Sequence, residues 1–242
     1  MALLHLLTLN IERDEHLDRV APFLEKQKPD VWCVQELLEK DIPLFERILG
    51  AKCFYIPALR WSFEQGMVEG LGIYTSLPSS QFKVQLYAGN TGDIMVYDGK
   101  DDATMRATQK FNLATIVVEK EGVQFKIGNT HFTWSPDGKP TDLQRRDVQA
   151  LLDALKNEGE LVLTGDFNAP RGGEIFSAIA ANYKDNVPSH YNSSIDGTLH
   201  RAGALNFMVD GIFSTPQYDV TNVEMRCGVS DHCALSAQVS LK

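Results

Sequence analysis

The amino-acid sequence predicts an α/β layered protein in which helices do not alternate strictly with strands. Short apolar, β-branched runs recur along the whole chain and are typical of buried strands. Four longer stretches between them have the apolar spacing of helices. The chain has 242 residues and 43% hydrophobic content, enough for one substantial core. Because no internal repeat or Pro/Gly/Ser linker divides it, we expect one domain over residues 1–242.

Eight segments are predicted as strands from their apolar composition: residues 3–11, 31–35, 70–75, 113–119, 125–132, 161–164, 207–214 and 234–241. Residues 15–27, 41–49, 142–157 and 173–182 are predicted as helices. Thr141 or Asp142 can cap the start of the third helix, and Gly159 follows its end. The polar stretches 56–68, 87–109 and 184–206, with the shorter 133–141, are predicted as loops. Long ordered loops of this kind often carry function.

The charge balance argues against an enzyme that binds long nucleic acid non-specifically. Lys and Arg number 23 against 32 Asp and Glu, so the net charge is −9. Binding to long nucleic acid depends on surface cations that neutralise phosphates. The overall charge still allows a local basic groove.

The chain is predicted to be cytoplasmic, without a signal peptide. Residues 1–9 are apolar but lack a basic start and a cleavage pattern, and they are interpreted as a strand. No stretch approaches the roughly 20 apolar residues that cross a bilayer. The four cysteines show no CxxC pairing and no metal-ligand spacing, and Cys33 and Cys233 are interpreted as buried thiols. Free thiols fit a reducing compartment.

The strongest local motif follows the predicted strand at 161–164. Gly165 ends the apolar run, and Asp166 and Asn168 then place a carboxylate and a carboxamide two residues apart. An Asx turn after a strand explains this motif equally well when it is taken alone. Its chemical interpretation therefore depends on the other motifs.

An acid and a histidine, Asp231 and His232, precede the last predicted strand. Neighbouring strand residues point to opposite faces, so each of these side chains needs its own partner. A histidine beside a carboxylate acts near neutral pH as a base, a phosphate donor or a proton relay. In isolation, a loop charge pair is the better interpretation.

Four further predicted strands carry polar residues. Asn10 closes the first strand, Glu36 follows the second, and His131 lies in an apolar strand. A turn, a helix start and a satisfied core histidine explain these three residues without any chemistry. Asp210 differs, because an ionised carboxylate inside an apolar run needs a partner.

Taken together and in this order, the six segments resemble the endonuclease/exonuclease/phosphatase superfamily. Its members include DNase-like nucleases, tyrosyl-DNA phosphodiesterases, deadenylases, sphingomyelinases and inositol-polyphosphate phosphatases. The resemblance runs from Leu7 to Leu235, and although each motif is short, all of them in family order are highly specific. It implies a DNase-like α/β (α+β) fold, a four-layer sandwich of two packed mixed β-sheets flanked by α-helices, with the site at one edge.

The resemblance implies a metal site. Glu36 matches the main metal-ligating glutamate of the family, with Asn10 beside it, and Asp231 matches the aspartate at the metal edge. Carboxylate and carboxamide oxygens suit a hard cation, so the expected cofactor is Mg²⁺, with Mn²⁺ as a substitute. Such a metal stabilises negative charge on the phosphate oxygens.

The resemblance also implies the catalytic residues. Asp166 and Asn168 match the pair that orients the attacking water and holds the phosphate, and His232 matches the histidine on the phosphate, oriented by Asp210. His131 matches the second histidine of DNase-like members. Glu69 matches the glutamate that supports this second histidine.

The general base stays open between two residues. Asp166 is the preferred water activator, and His232 is an equally good alternative. Neither a serine nor a cysteine is paired with a base, so we expect in-line displacement without a covalent intermediate.

Two positions depart from the family pattern. Met208 stands two residues before Asp210, where many members have arginine, and Thr75-Ser76 replaces a frequent Ser-Arg. Losing two basic residues weakens the case for an extended nucleic-acid substrate.

The leading functional hypothesis is a phosphodiesterase acting on a nucleic-acid end, a nucleotide or a similar phosphate ester. Arg60, Arg106 and Trp134 are candidate substrate contacts, although each is also explained as an ordinary surface residue. The alternatives are an inositol-phosphate phosphatase or sphingomyelinase-like lipid phosphoesterase, and a catalytically inactive binding module. The acidic loop 87–109 argues against binding to anionic membranes, and so against the lipid phosphoesterase. Every core site position is present, which argues against the inactive module. No protein partner is implied.

Overall fold

The computed structural model describes residues 2–62 and 66–242, so residues 63–65 of the predicted loop 56–68 lie outside the described part. Within that part the chain forms two six-stranded sheets. In spatial order, the first sheet contains β11 (Tyr218–Arg226), β12 (Ala234–Leu241), β1 (Leu4–Asn10), β2 (Val31–Leu38), β4 (Val68–Thr75) and β3 (Lys52–Arg60). The second contains β5 (Ser79–Gly89), β6 (Lys110–Lys120), β7 (Val123–His131), β8 (Val162–Asp166), β10 (Asp210–Ser214) and β9 (Lys184–Asp185).

Five α-helices accompany these sheets in the described residues: α1 (Leu17–Gln27), α2 (Ile42–Leu49), α3 (Asp102–Thr108), α4 (Asp142–Lys156) and α5 (Glu174–Ala180). The Thr141 hydroxyl accepts a hydrogen bond from the Gln144 backbone N–H at 3.2 Å, so the predicted cap of α4 is present. The four predicted helices are all found, each within two residues of its predicted start or end.

Three apolar layers hold the molecule together. The middle layer lies between the sheets and includes Leu4 and Leu6 from β1 with Ile127 and Val162 from the second sheet. Alternate residues of β1, such as Leu7 and Leu9, pack on the other face together with residues of α1 and α2. Residues of α4 and α5 pack on the outer face of the second sheet. The predicted four-layer sandwich is therefore confirmed.

The strand directions collect the functional motifs at one end of both sheets. β1 runs parallel to β2, and β7 runs parallel to β8, so each pair ends at the same edge. β12, β4 and β10 run antiparallel to β1, β2 and β8, and they begin at that edge. Polar residues after some strands and before others thus become spatial neighbours.

The elements that the sequence analysis missed are mostly at sheet edges. β3, β5, β9 and β11 are the four edge strands, and the side chains of β5 are exposed over most of its length. An edge strand with few buried residues lacks a strong apolar pattern. The predicted loop 87–109 contains α3, whose start is capped by Asp101 and Thr104.

The expectation that Cys233 is a free thiol is wrong. Cys227 and Cys233 form a disulfide across six residues of sequence, whereas Cys33 and Cys53 are free. No spacing pattern in the sequence marks this pairing. The chain turns back between the two cysteines and brings them together. The disulfide removes part of the argument for a reducing compartment, and the cytoplasmic location remains a prediction. None of the helices in the described residues combines the length and apolar character that crossing a bilayer requires.

Candidate active site

Side-chain alternation places the site on the inner face of both sheets. Leu6 belongs to the layer between the sheets, so Asn10, four residues later, points the same way. The same argument links Val162 to Asp166 and Ile212 to Asp210. At this edge, polar side chains occupy the inner face in place of the apolar side chains of the middle layer.

A backbone irregularity directs Glu36 into the site. The pairing of β2 with β4 shifts register between Val34 and Leu37, and Glu36 adopts a φ of 55°. A bulge of this kind turns a side chain away from the face that strict alternation would give it. The Asn10 Nδ2 donates to Glu36 Oε1 at 3.0 Å, and the Glu36 side chain stays 20% exposed.

Asp166 lies at the centre of the site, with a side chain only 2% exposed. Its Oδ2 accepts a hydrogen bond from Asn10 Nδ2 at 3.1 Å and lies 3.6 Å from His131 Nε2 and 3.8 Å from His232 Nε2. Its Oδ1 accepts from the Asn168 backbone N–H at 2.8 Å. One carboxylate at the end of β8 thus joins residues from β1, β7, the loop after β8 and the segment before β12.

Gly165 allows the Asp166 backbone to approach β7. A Cβ at this position would lie 2.1 Å from the Thr130 carbonyl oxygen. The glycine that ends the apolar run is therefore a steric requirement of the β7–β8 pairing beside the site.

His232 and Asp210 form a buried ion pair. His232 Nδ1 lies 2.7 Å from Asp210 Oδ2. Burial alone would lower the pKa of His232, but the Asp210 and Asp166 carboxylates outweigh it and hold this pKa well above its ordinary value. The buried Ser194 hydroxyl accepts from the backbone N–H groups of Val209 and Asp210 and holds the start of β10 in place.

Asn168 is held by contacts on both sides of its loop. It has a φ of 48°, and its Nδ2 donates to the Phe132 carbonyl at 2.8 Å. The buried Gln144 Nε2 donates to the Thr133 carbonyl at 2.7 Å and to the Asn168 carbonyl at 3.2 Å. Gln144 therefore ties α4 to the loops that follow β7 and β8, a role that the sequence analysis missed.

We expect Gln144→Ala to lower kcat by about tenfold with a smaller change in KM, because Asn168 loses the support of its loop. The buried Thr133 carbonyl and the partly buried Asn168 carbonyl would lose this donor, which costs about 1–3 kcal/mol of unfolding free energy. Steady-state kinetics and urea unfolding measure the two effects. The exposed Gln149 on α4 provides the matched control, Gln149→Ala. Wild-type kcat in a folded Gln144→Ala variant would contradict the positioning role.

The structure adds two ligand candidates that the sequence analysis missed. Glu12, His16 and Asp231 offer ligand atoms that all lie within 4.8 Å of one another. His16 Nε2 lies 3.1 Å from Glu12 Oε2, and burial followed by the neighbouring Asp231 charge raises the pKa of Glu12. With Glu36 and Asn10 close by, oxygen donors and one imidazole surround this edge. This donor set fits a divalent metal ion.

Residues 7–232 match the Endonuclease/Exonuclease/phosphatase family. The chain belongs to this family. No curated protein matches its sequence.

Solved structures of low sequence identity share the fold. An endonuclease/exonuclease/phosphatase from Beutenbergia cavernae is 16% identical, with a TM-score of 0.77 over 100% of this chain and 72% of that chain. The human Nocturnin catalytic domain with bound sulfate is 17% identical, with a TM-score of 0.73 over 99% and 95% of the two chains. The Bacteroides thetaiotaomicron mannosyl-6-phosphatase is 13% identical, with a TM-score of 0.71 over 98% and 100%.

A cation, Arg13, lies beside the carboxylates of the site. Arg13 Nη1 donates to Glu36 Oε2 at 3.2 Å, and its guanidinium lies 5.2 Å from the centre of the Trp61 ring. The sequence analysis missed this residue, because the loop between β1 and α1 gives no periodic signal. In this endonuclease/exonuclease/phosphatase protein, the Arg13 guanidinium also lies 3.8 Å from Glu12 Oε1 and 3.9 Å from Glu15 Oε1, so it joins several carboxylates beside the site.

The structure places Glu69 beside Trp61. Trp61 Nε1 donates to Glu69 Oε2 at 2.7 Å, and among the described residues no hydrogen bond joins Glu69 to His131. Burial and the nearby Glu36 charge raise the pKa of Glu69 to about 8. The predicted support of the second histidine therefore remains a prediction about the family resemblance.

The three predicted substrate contacts have different surroundings. Arg106 Nη1 pairs with the buried Asp147 at 2.6 Å, and Arg60 Nη1 donates to the Gly66 carbonyl at 2.7 Å. Trp134 is 48% exposed and stands three residues after His131. The two arginines are already paired with groups of the protein, whereas the exposed Trp134 ring has room to stack on another ring.

Proposed function

We propose that the protein is a Mg²⁺-dependent phosphodiesterase that acts on a nucleotide, a nucleic-acid end or a similar phosphodiester. The observation that carries the proposal is the position of Asp166, which contacts Asn10, Asn168, His131 and His232 at one edge of the sandwich. Membership of a family of phosphoesterases supports the reaction class. Mn²⁺ is the expected substitute metal.

The metal ligands of this proposal are Glu36, Asn10 and Asp231. When bound there, the metal supplies positive charge to a phosphate oxygen and lowers the barrier to attack by water. Glu36 is the partly exposed carboxylate of the set, so it remains open to an incoming ion. Arg13 donates to the same carboxylate, so a bound metal would share Glu36 with this guanidinium.

Asp166 is our preferred water activator. Its carboxylate faces both histidines, and Asn10 and the Asn168 backbone N–H hold it in one orientation. A fixed carboxylate at this position can accept a proton from a water aligned with the phosphorus atom. His232 as the base remains the alternative, and its raised pKa favours the charged form, which is an acid or an anion donor instead.

His232 and His131 stabilise charge that develops on the phosphate. The Nδ1 of His232 is taken by Asp210, so its Nε2 is the nitrogen that can face the phosphate. His131 Nε2 lies 4.0 Å from Glu36 Oε1 as well as near Asp166, which places it between the metal side and the water side. Fixed donors aimed at developing charge are a large part of catalysis in such sites.

A phosphomonoesterase is the second candidate, because the solved Bacteroides mannosyl-6-phosphatase shares the fold. An inositol-phosphate phosphatase belongs to this candidate class, whereas a sphingomyelinase-like lipid phosphoesterase, which cleaves a diester, is a separate alternative that turnover of sphingomyelin identifies. A non-catalytic binding module is a third candidate, and it predicts no turnover.

Hydrolysis of bis-p-nitrophenyl phosphate and p-nitrophenyl phosphate, with Mg²⁺, Mn²⁺ or EDTA, tests the proposal. We expect metal-dependent turnover with preference for the diester, lost in Asp166→Ala and His232→Ala. The exposed Asp153 gives the matched control, Asp153→Ala. Preference for the monoester would favour the second candidate. Absence of metal-dependent turnover on these compounds and on a panel of oligonucleotides, cyclic nucleotides, inositol phosphates and sphingomyelin would reject enzymatic function.

A further inference from the structure

A basic cleft lies beside the candidate active site. It has a volume of about 380 Å³ and separates α1 from the segment that follows β11. Arg19, Phe23 and Lys26 line one wall and are spaced by four and three residues, so they share one face of α1. Arg226 and Gly228 belong to the opposite wall.

The charge of this cleft is unusual for the molecule. Three of its lining residues, Arg19, Lys26 and Arg226, are cationic, and no acidic residue lines it. The whole chain carries 32 acidic residues against 23 basic ones. All three side chains are exposed, and an anion that enters the cleft would meet three positive charges at once.

These cations have no carboxylate partner among the described residues. The contact of the Arg19 guanidinium is a long hydrogen bond of 3.4 Å from Nη1 to the Gly228 carbonyl, which leaves the other donors of the guanidinium available. The nearby carboxylate of Asp196 is already bound by the Gly228 backbone N–H at 2.6 Å and by Thr198. The protein itself therefore does not neutralise the cleft.

We propose that this cleft is a second anion site, separate from the catalytic groups, that binds a phosphate group. Two guanidinium groups and an ammonium group match the charge and the acceptor oxygens of a phosphate. The half-buried Phe23 ring adds an apolar wall for the organic part of a phosphate ester. The volume is at the lower end of ligand cavities, which suits a small phosphorylated group.

The cleft and the catalytic site share one short segment of chain. Residues from Arg226 to Val229 line the cleft, and Asp231 and His232 follow within three residues. The Cys227–Cys233 disulfide closes the segment around these residues. Arg19 stands three residues after His16, so α1 also runs from the metal edge along the cleft. The bound phosphate belongs either to a distal part of the substrate or to a separate small molecule.

Pyrophosphate binding in EDTA tests the site without any turnover. The triple variant Arg19→Gln, Lys26→Gln, Arg226→Gln removes the three cations, and Arg47→Gln, Lys184→Gln, Lys242→Gln removes the same charge elsewhere. Titration calorimetry should show an affinity at least tenfold weaker for the first variant, with the second within twofold of the wild type. The catalytic groups are the same in both variants, so the difference reports on the cleft. Equal affinity of the two variants, or no binding of millimolar pyrophosphate to the wild type, would overturn the proposal.

Two rate measurements then identify the source of the phosphate. If the substrate supplies it, the first triple variant should raise KM for a short oligonucleotide, keep its kcat, and leave KM for bis-p-nitrophenyl phosphate unchanged. If a separate molecule supplies it, KM for both compounds should be unchanged, and added pyrophosphate should alter the wild-type rate more than the variant rate. Failure of the proposed enzymatic function would abolish both rates while leaving the calorimetric result readable.

Discussion

Replacing Asp210 by asparagine is expected to lower kcat by about 10³–10⁴-fold while KM changes little, as in other enzymes whose histidine loses its orienting carboxylate. The Asp210 Oδ2 lies 2.7 Å from His232 Nδ1, and together with Asp166 it holds the pKa of His232 well above the ordinary value. An asparagine keeps the shape but removes the charge that offsets the burial of a histidine cation. The pKa of the remaining His232 would fall, so the charged form that stabilises phosphate would be less populated.

A double-mutant cycle measures whether the two residues act as a unit. Asp210→Asn, His232→Ala and the double variant should each lose about the same activity, because either substitution removes the same charged donor. The control is Asp185→Asn, which breaks the 2.9 Å ion pair with Arg171 elsewhere in the second sheet. Additive losses in the double variant would show that Asp210 and His232 act separately.

The interior of the fold follows from the sequence because buried strands carry a continuous apolar signal. β1, β6, β7 and β12 were predicted to within a few residues, and all are buried on at least one face. The edge strands β5 and β11 contain few buried residues. Hydrogen bonding to a neighbour holds such strands, and the sequence of the strand alone does not contain that information.

The candidate site followed from the sequence for a related reason. Asn10, Asp166 and Asp210 interrupt apolar strands, and the resemblance gave their order a meaning. Glu12 and His16 stand in the irregular segment between β1 and α1, where no periodicity distinguishes a ligand from a surface residue. Spatial proximity to Asp231 across 215 residues of chain became visible only in the folded protein.

The partner of a single cation is the feature that the sequence reveals least. Arg106 was a candidate substrate contact, and the structure gives it a buried carboxylate partner in Asp147. Arg19, Lys26 and Arg226 raise no expectation from the sequence, because the first two lie on α1 and the third ends β11, about 200 residues later. Pairing with a carboxylate is a tertiary property, so the sequence cannot tell a structural arginine from one that meets a ligand.

Glu36→Gln is expected to raise the metal concentration that gives half of maximal activity by at least about 100-fold. This effect is larger than most supporting residues have. Glu36 is the charged ligand candidate that the bulge in β2 turns toward Asn10, and glutamine keeps its size and its acceptor oxygen. The concentrations of Mg²⁺ and Mn²⁺ that give half of maximal activity measure the effect. Activity should return in part at high metal concentration. The exposed neighbour Glu39 provides the control, Glu39→Gln.

The same titration separates two arrangements of the metal. If Glu36, Asn10 and Asp231 hold the ion, His16→Gln should leave the half-saturating Mg²⁺ concentration within a few-fold of the wild type, while Glu36→Gln raises it strongly. If Glu12, His16 and Asp231 hold it, His16→Gln should have the larger effect, and the loss should be greater for Mn²⁺ than for Mg²⁺, because imidazole suits transition metals better than magnesium. An unchanged metal requirement in both variants would contradict both arrangements. Asp231 belongs to both sets, so Asp231→Asn should impair metal use in either case and reports only that the ion binds at this edge.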